Sequence, residues 1–487
     1  MRRRAPAAAA GAKPAFFRFR RLGRRILITN DFGRHRLMTD AEFRSFAAGS
    51  LDGPPDLLEA LARDGFLAER MDFEDLAEAW RARGRYLWQG PTLHIIVVTL
   101  RCDHRCLYCQ ASAGRMSDKG VDMTPETARL VVDRIFESAS PALTIEFQGG
   151  EPLANWPVVR FIVEYARAKG AETGTSLGLS LVTNLSLMDD EKLDFLLDNG
   201  VGLCTSLDGP ADLHNANRLF SGGDSHERTT RWFRRISERA GPGRSRIEAL
   251  LTVTRRSLPR AREIVDEYAR VGAGGIFLRS LSPLGLARGL WERIGYAPEE
   301  FLAFYREAFA RVLELNRDRP FVEQSARLFL AKILSDEDPN FLDIRSPCGA
   351  GIGQLAYNFD GSVYTCDEGR MLSRMGDESF RIGSVRSGTR RETVAHPAVR
   401  ALAVASCLDA QPDCSRCAYK PYCGICPIQC YVEQGDIMGH MPSNSRCRIH
   451  KGILDLLFEK LENPKNETLF RRWLRRPEDG SAYQRSL

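Results

Sequence analysis

Between residues 93 and 281 strand-like runs alternate with helical patterns six times. The runs are "LHIIVVTL" (93–100), "LTIEFQG" (143–149), "LGLSLVTN" (177–184), "VGLCTSLDG" (201–209), "IEALLTVT" (247–254) and "GIFLRSL" (275–281). Helical patterns fill the gaps near 125–137, 157–169, 189–199, 226–240 and 259–270, and another follows residue 298. Parallel strands need long crossovers, so six β-then-α units in a row predict a parallel α/β sheet, open or curled as a partial barrel. Chemistry in such sheets sits at the carboxyl ends of the strands. Polar clusters fall there in this chain: a cysteine loop, "QGGEPL", "TN", "SLDGP" and "LRS".

The cysteines concentrate the question of function. Of thirteen, three lie at 102–109, nine lie between 348 and 447, and Cys204 stands alone. The N-terminus lacks a leucine-rich secretory segment, and no run of about 18 apolar residues suggests a membrane span. A reducing, cytoplasmic setting follows, in which clustered cysteines read as metal or cluster ligands rather than disulfides. The net charge of +6 is modest for 487 residues, and its arginines are spread over separate segments. They read as solvated basic faces, not as a nucleic-acid surface.

Around the six units the chain divides further. Residues 1–14 read as a disordered tail. Residues 15–90 hold three short β-like runs, a helix starting at Thr39 or Asp40 and a second helix stopped by Gly65, the pattern of a winged-helix-like module with a charged linker. Residues 91–310 are the α/β core, 311–345 a helical connection, 346–460 a turn-rich cysteine segment with little helical periodicity before a last helix, and 461–487 a polar tail. So small a cysteine-rich unit needs bound clusters to supply its core.

The loop "TLRCDHRCLYCQAS" places Cys102, Cys106 and Cys109 directly after the first strand. C-x3-C-x2-C is too compact for a pair of zinc hairpins, although His104 could add a ligand to a zinc knuckle. Together with "QGGEPL" at the end of the second strand, the triplet resembles the radical S-adenosylmethionine (SAM) superfamily. The resemblance implies that the three thiolates hold a catalytic [4Fe–4S] cluster whose fourth iron is left for SAM, and that a 5′-deoxyadenosyl radical abstracts hydrogen. It implies a partial (βα)6 TIM-like barrel. The strand ends then acquire expected roles. Gly149 and Gly150 let backbone approach the ligand, Glu151 offers a carboxylate to the methionine ammonium, and Gln148 is a neutral partner. Tyr108 lies near the adenine or packs as a plain aromatic, Thr183, Asn184, Ser206 and Asp208 line the mouth, and Arg218, Arg228 and Arg279 are candidates for carboxylates of cofactor or peptide.

The cysteine-rich end resembles the SPASM extension of radical enzymes that modify ribosomally made peptides and proteins. Cys348 and Cys366 stand as C-x12-G-x4-C, and Cys414, Cys417, Cys423, Cys426, Cys430 and Cys447 follow. The family runs C-x5-C-x3-C where this chain has Cys423, then Cys426 and Cys430, so two candidates compete for one place. The resemblance implies one or two auxiliary [4Fe–4S] clusters: an outer one on Cys414, Cys417, Cys423 and Cys447, and an inner one on Cys348, Cys366 and Cys426 or Cys430. Cys407 is a spare thiol or a further inner ligand, and a zinc ribbon is the rival reading of 414–430. Asp367 resembles the position of an acidic residue that serves as base in sulfatase-maturating enzymes.

Whole segments, among them "TNDFGRH" and "CGICPIQCYVEQGDI", look most like the B-type radical maturases of His-Xaa-Ser systems. That resemblance implies a ribosomally synthesised precursor peptide as substrate, its leader held by the N-terminal module through β-addition. A reductant such as flavodoxin or ferredoxin and a second radical SAM maturase would be further partners. The alternatives are a sulfatase-type maturase forming formylglycine, and a non-catalytic iron–sulfur carrier or peptide scaffold.

Overall fold

In the computed structural model, residues 13–50, 54–240, 247–339 and 341–475 are described below. Apart from Lys13 and Pro14, the expected disordered tail lies outside them, as does the end of the polar tail from residue 476.

The N-terminal unit opens with β1 (Arg18–Leu22), β2 (Arg25–Thr29) and β3 (His35–Met38), an antiparallel sheet in the order β1-β2-β3. Thr39 caps the helix Asp40–Ala47 through a reciprocal bond pattern with Glu42, which satisfies donors the first turn leaves open. Gly65, at φ +72°, ends the next helix unit after Pro55–Arg63. A third helix, Phe73–Gly84, occupies what the sequence presented as a charged linker.

Seven parallel strands form the centre: β4 (Leu93–Thr99), β6 (Ala142–Gly149), β7 (Ser176–Val182), β8 (Val201–Ser206), β10 (Ile247–Thr252), β11 (Gly275–Arg279) and β12 (Val322–Glu323). They lie side by side in chain order, with no reversal of strand order among them. A doubly wound sheet would reverse; a singly wound one curls. The curl is visible in the lining of one cavity, which receives Ile95, Gln148, Ser206, Thr252 and Arg279 from five strands. The other face carries Val98, Phe147, Leu179, Leu203, Leu251 and Ile276, all almost fully buried. Each such side chain contributes roughly 1.5–3 kcal/mol by leaving water. The expected partial barrel is therefore present, and β12 adds a short strand from a segment expected to be wholly helical.

The sheet does not end at β4. β13 (Gln354–Tyr357) pairs with it in parallel, Gln354 opposite Leu93, and β14 (Ser362–Tyr364) and β15 (Arg381–Ser384) continue antiparallel, making ten strands in all. The cysteine-rich end is thus built onto the barrel's first strand. It is also more helical than its turn-rich composition suggested, with helices Asp367–Ser373, Pro397–Ser406, Pro427–Gln434 and Ser445–Leu461. Prolines at the first turn start two of them, where the missing N–H costs nothing. Pro464–Trp473 forms a further helix where a polar tail was expected, because Phe470 and Trp473 bury against Phe309.

The N-terminal unit docks on this end. Arg18 pairs with Asp31, which also takes Lys420; Arg20 forms a two-bond pair with Asp455, at 2.8 Å each; and Thr29 Oγ1 donates to the carbonyl of Ala418.

Candidate functional site

The cysteine loop leaves β4 at Thr99 and is fastened on both sides. Thr99 and the Arg101 guanidinium both bind the Asp122 carboxylate, and Arg101 also reaches the carbonyl of Ala154 at 2.7 Å. The end of β6 lies directly against the loop: Gly150 N donates to Thr99 O and Glu151 N to Arg101 O at 2.7 Å. A β-carbon on Gly149 would stand 2.2 Å from Thr99 O, and one on Gly150 2.2 Å from Arg101 O. The two glycines therefore allow backbone to meet backbone at the edge of the cavity that Gly150 lines.

Beyond Cys102 a short antiparallel ribbon forms from β5 (His104–Cys106) and β9 (Arg218–Phe220), with Cys106 opposite Arg218. Asp103 accepts from Ser186 Oγ at 2.5 Å and from Asn184 Nδ2 at 2.9 Å, and contacts His104 Nδ1. His104 Nε2 meets Ser225 Oγ, and its ring stacks on Phe220 at 4.6 Å. Donor atoms of Cys102, Asp103 and His104 lie within 4.8 Å of one another. Both imidazole nitrogens and both carboxylate oxygens are already engaged, however, and burial holds the His104 imidazole below its usual range. Cys102 is the member of that trio left to bind metal. Its Sγ faces Asn184 Nδ2 at 3.7 Å and its own loop's His104 N–H at 3.4 Å.

Cys102, Cys106 and Cys109 line the same cavity, of about 330 Å³. Burial pushes the Cys102 thiol well up and that of Cys106 up to about 12, against Arg218, which acts to lower it. Such thiols ionise when a metal replaces the proton. Arg218 is itself buried beside Cys106, and its Nε has no hydrogen-bond partner among the described residues. A buried guanidinium with a free Nε beside a set of thiols suits an anionic group in the cavity.

Gln148, Gly150, Thr183, Asn184, Ser206, Arg218 and Tyr108 all line this cavity. Gln148 Nε2 donates to Glu146 Oε1. Arg279 also reaches it, whereas Arg228 instead holds the carbonyl of Ser186. Two expected lining residues behave otherwise. Glu151 is fully buried off the cavity, and its carboxylate accepts from Leu153 N, Thr183 Oγ1 and Asn184 N at 2.7–3.0 Å. Burial raises it to about 7, with those three bonds opposing. It braces the ends of β6 and β7. Asp208 is also fully buried; both its oxygens accept from Tyr108 OH, which in turn accepts from Arg218 Nη1 at 2.8 Å. Asp208 thus positions Tyr108. Sequence reading missed the clamp at the loop's far end, where Leu286 N donates to Cys109 O and a β-carbon on Gly285 would stand 2.5 Å from that oxygen.

The C-terminal cysteines separate into two groups. Cys348, Cys366 and Cys426 pack into one buried cluster, so Cys426, not Cys430, joins the inner pair. Cys414, Cys423 and Cys447 pack together with Cys430, and Cys417 is close enough for its charge to bear on the first three. Cys430 Sγ is met by Asn444 Nδ2. Cys407 sits at the end of the helix Pro397–Ser406, outside the inner cluster, although Ser406 Oγ accepts from Cys348 N. Asp367 follows Cys366 and lines the barrel cavity, its Oδ1 held by Arg370 Nε at 2.7 Å. Arg370 is fully buried one helical turn from Cys366, and both of its terminal nitrogens lack partners among the described residues. These two free nitrogens suit an anionic group near the inner thiols.

Residues 96–265 match the Radical SAM superfamily. A cysteine-type anaerobic sulfatase-maturating enzyme of Clostridium perfringens is 24% identical over 393 residues, covering 77% of this chain and 99% of that one. The radical SAM cyclopropyl synthase TigE of Paramaledivibacter caminithermalis is 26% identical over 42% of this chain and 45% of its own. Among solved structures, anSMEcpe with bound AdoMet and a peptide superposes with a TM-score of 0.63 at 21% identity, over 78% of this chain and all of that one. Streptococcus suis SuiB bound to its precursor peptide SuiA gives 0.50 at 12% identity, over 88% and 98%. With the thiol triplet at the mouth of a singly wound barrel, these similarities identify the chain as an oxidoreductase of the radical SAM type, related in sequence to sulfatase-maturating enzymes and sharing a fold with them and with SuiB.

Proposed function

We propose that this enzyme oxidises a side chain of a protein or peptide substrate in the manner of the sulfatase-maturating enzymes it resembles. The observation that carries the reading is one shared space: the triplet Cys102, Cys106 and Cys109, the strand-end groups Gln148, Asn184 and Ser206, and Asp367 all line the same cavity. Bound at the triplet, a reduced [4Fe–4S] cluster with SAM supplies the 5′-deoxyadenosyl radical that removes a hydrogen atom. Tyr108, Asn184 and Arg218 fix the loop that holds the thiols. Asp367 faces the substrate side. Arg370 holds its Oδ1, which leaves Oδ2 to accept a proton. Loss of a hydrogen atom, a proton and an electron is a two-electron oxidation, the change that takes Ser or Cys toward formylglycine. The inner and outer thiol groups suit auxiliary clusters that accept the electron, and flavodoxin or ferredoxin suits the supply of the first one.

The N-terminal unit favours a second reading, the His-Xaa-Ser precursor peptide. A three-stranded antiparallel sheet with edge strands is what β-addition of a leader requires, and the sequence words named above point the same way. Anaerobic incubation of the reconstituted enzyme with SAM and either a Cys- or Ser-bearing sulfatase peptide or a His-Xaa-Ser repeat peptide separates the two. Mass spectrometry should show formylglycine in the first peptide; modification of the second alone would replace this reading with the precursor one, and 5′-deoxyadenosine without product on either would reject both substrates.

A further inference from the structure

The barrel has a second cavity at its foot, the end away from the cysteine loop. It holds about 460 Å³ and is lined by the first residues of β10, β11 and β12, Ile247, Gly275 and Val322 among them. Its outer wall is the turn 316–320, which follows the helix Pro298–Leu315, together with the end of the helix Pro464–Trp473. These walls are fastened to each other. Asn316 Nδ2 donates to the carbonyls of Val312 and Phe321, and its Oδ1 accepts from Phe321 N and Trp473 Nε1. Arg327 Nε donates to the carbonyl of Trp473 at 3.0 Å.

The charge of this cavity is lopsided. Arg317, Arg319, Arg327, Arg472 and Arg475 line it against Glu248 and Asp318, an excess of three positive charges. None of the five arginines is bonded to a carboxylate among the described residues, whereas arginines on the same helices are: Arg311 binds Asp266 and Glu314, and Arg471 binds Glu467. Arg319 is the sharpest case. Its guanidinium lies over the Phe321 ring at 5.6 Å, and its Nη2 is buried with no hydrogen-bond partner among the described residues. A buried N–H without an acceptor is unfavourable, and a ligand oxygen would relieve it. Like charges gathered on a concave wall also concentrate their field on a small anion. Guanidinium forks match phosphate oxygens in pairs, and an excess of three charges suits a diphosphate better than a single carboxylate. A cleft of this volume takes a small molecule. We propose that the foot cavity binds a phosphate-bearing small molecule, its phosphates held by Arg319, Arg327 and Arg472. Glu248 and Ala249 line both this cavity and the one at the barrel mouth, so the two spaces meet along β10.

The test is isothermal titration of the full reconstituted enzyme with two probes, pyrophosphate and ADP. SAM is kept in excess, so that neither probe is read at the barrel mouth. One-site binding is expected, weakened about 10-fold or more by Arg319→Gln and by Arg472→Gln. Arg471→Gln, which removes a side chain already held by Glu467, should leave it unchanged. ADP as the tighter probe would mark a nucleotide as the source of the phosphate; pyrophosphate binding as tightly or more so would mark free diphosphate. Arg472 is exposed on the last turn of its helix, so its variant keeps the test open if Arg319→Gln fails to fold. Absence of binding by both probes would overturn the proposal. So would binding that neither variant weakens, or that Arg471→Gln weakens as much.

Discussion

The two cysteine regions hold their thiols by different means. At the barrel mouth the loop is fixed by polar contacts the protein makes with itself: Arg101 on Asp122, Asp103 between Asn184 and Ser186, and Tyr108 between Asp208 and Arg218. At the C-terminal end the thiols themselves are the centre of small apolar clusters, Cys348, Cys366 and Cys426 in one, Cys430 with Cys414, Cys423 and Cys447 in the other. The first region is organised before any metal arrives. The second has thiols where a domain core would have leucines, so its stability is tied to what they bind. A loop held by its own polar contacts can present its thiols whether or not metal is bound; a segment whose apolar clusters include its thiols leans on what those thiols bind.

The sharpest way to break this comparison is to delete the triplet. Replacing Cys102, Cys106 and Cys109 with Ala should abolish SAM cleavage and remove about four irons per chain, while the melting temperature stays within a few degrees of wild type. Collapse of the barrel on calorimetry would show that its loop, too, depends on metal. Next in size is Cys423→Ala in the outer group. It should lower the melting temperature on the order of 10 °C and open the segment 407–447 to limited proteolysis, with the barrel still protected. Unchanged proteolysis would place that segment's stability in its helices.

Asp367→Asn tests the chemistry between the two regions. Clusters and SAM cleavage should survive, and product should fall by about 10²–10⁴, the usual range for loss of a general base. Near-normal product would leave Asp367 as a partner of Arg370 only. Tyr108→Phe removes the hydroxyl that links Asp208 to Arg218 and leaves a buried carboxylate short of its donor, at a cost of about 1–3 kcal/mol. Chemical denaturation reads this, and an unchanged midpoint would mean that Arg218 rearranges to compensate.

The smallest effect concerns Glu248, on the cavity face of β10. Burial raises it to about 7 from an ordinary 4.5, with Arg327 opposing. A raised folded value stabilises the protein fully below pH 4.5, and that contribution is lost as the pH rises through 7. Glu248→Gln should therefore gain stability on wild type between pH 5 and pH 8, on the order of 1 kcal/mol. Parallel stability curves for the two proteins would show that Glu248 is solvated through the cavity.

Much of the barrel was readable from periodicity, because parallel strands buried on both faces and amphipathic helices write their spacing directly into the chain. "IEALLTVT" and "GIFLRSL" became β10 and β11 almost residue for residue. The triplet and the strand-end words were readable as positions but not as bonds. "QGGEPL" gives a carboxylate at 151, and its burial and bonding depend on how β6 meets residues 99–101. The choice of Cys426 over Cys430 was closed to spacing for a related reason. Both stand at the start of the helix region Pro427–Gln434, one at its cap and one a turn inside, and the turn of the helix sends them into different clusters. The helices of the cysteine-rich end were hidden because several are short and are held by tertiary contacts more than by an amphipathic stripe.

The pairing of β13 with β4 sets a gauge between the two ends of the molecule. Tyr357 stands beside Ile96 in a hydrogen-bonded ladder, three residues short of Thr99, where the triplet's loop begins. The inner thiols follow from the same segment, Cys348 before β13 and Cys366 after β14. The separation of the two thiol sets is therefore counted in pleats: a slip of two residues would change it by roughly 6–7 Å, and a slip of one would turn every side chain to the wrong face. Insertions between β12 and β13 leave that count untouched, so the connecting helices can drift in length over time while the interval between the two thiol sets stays the same.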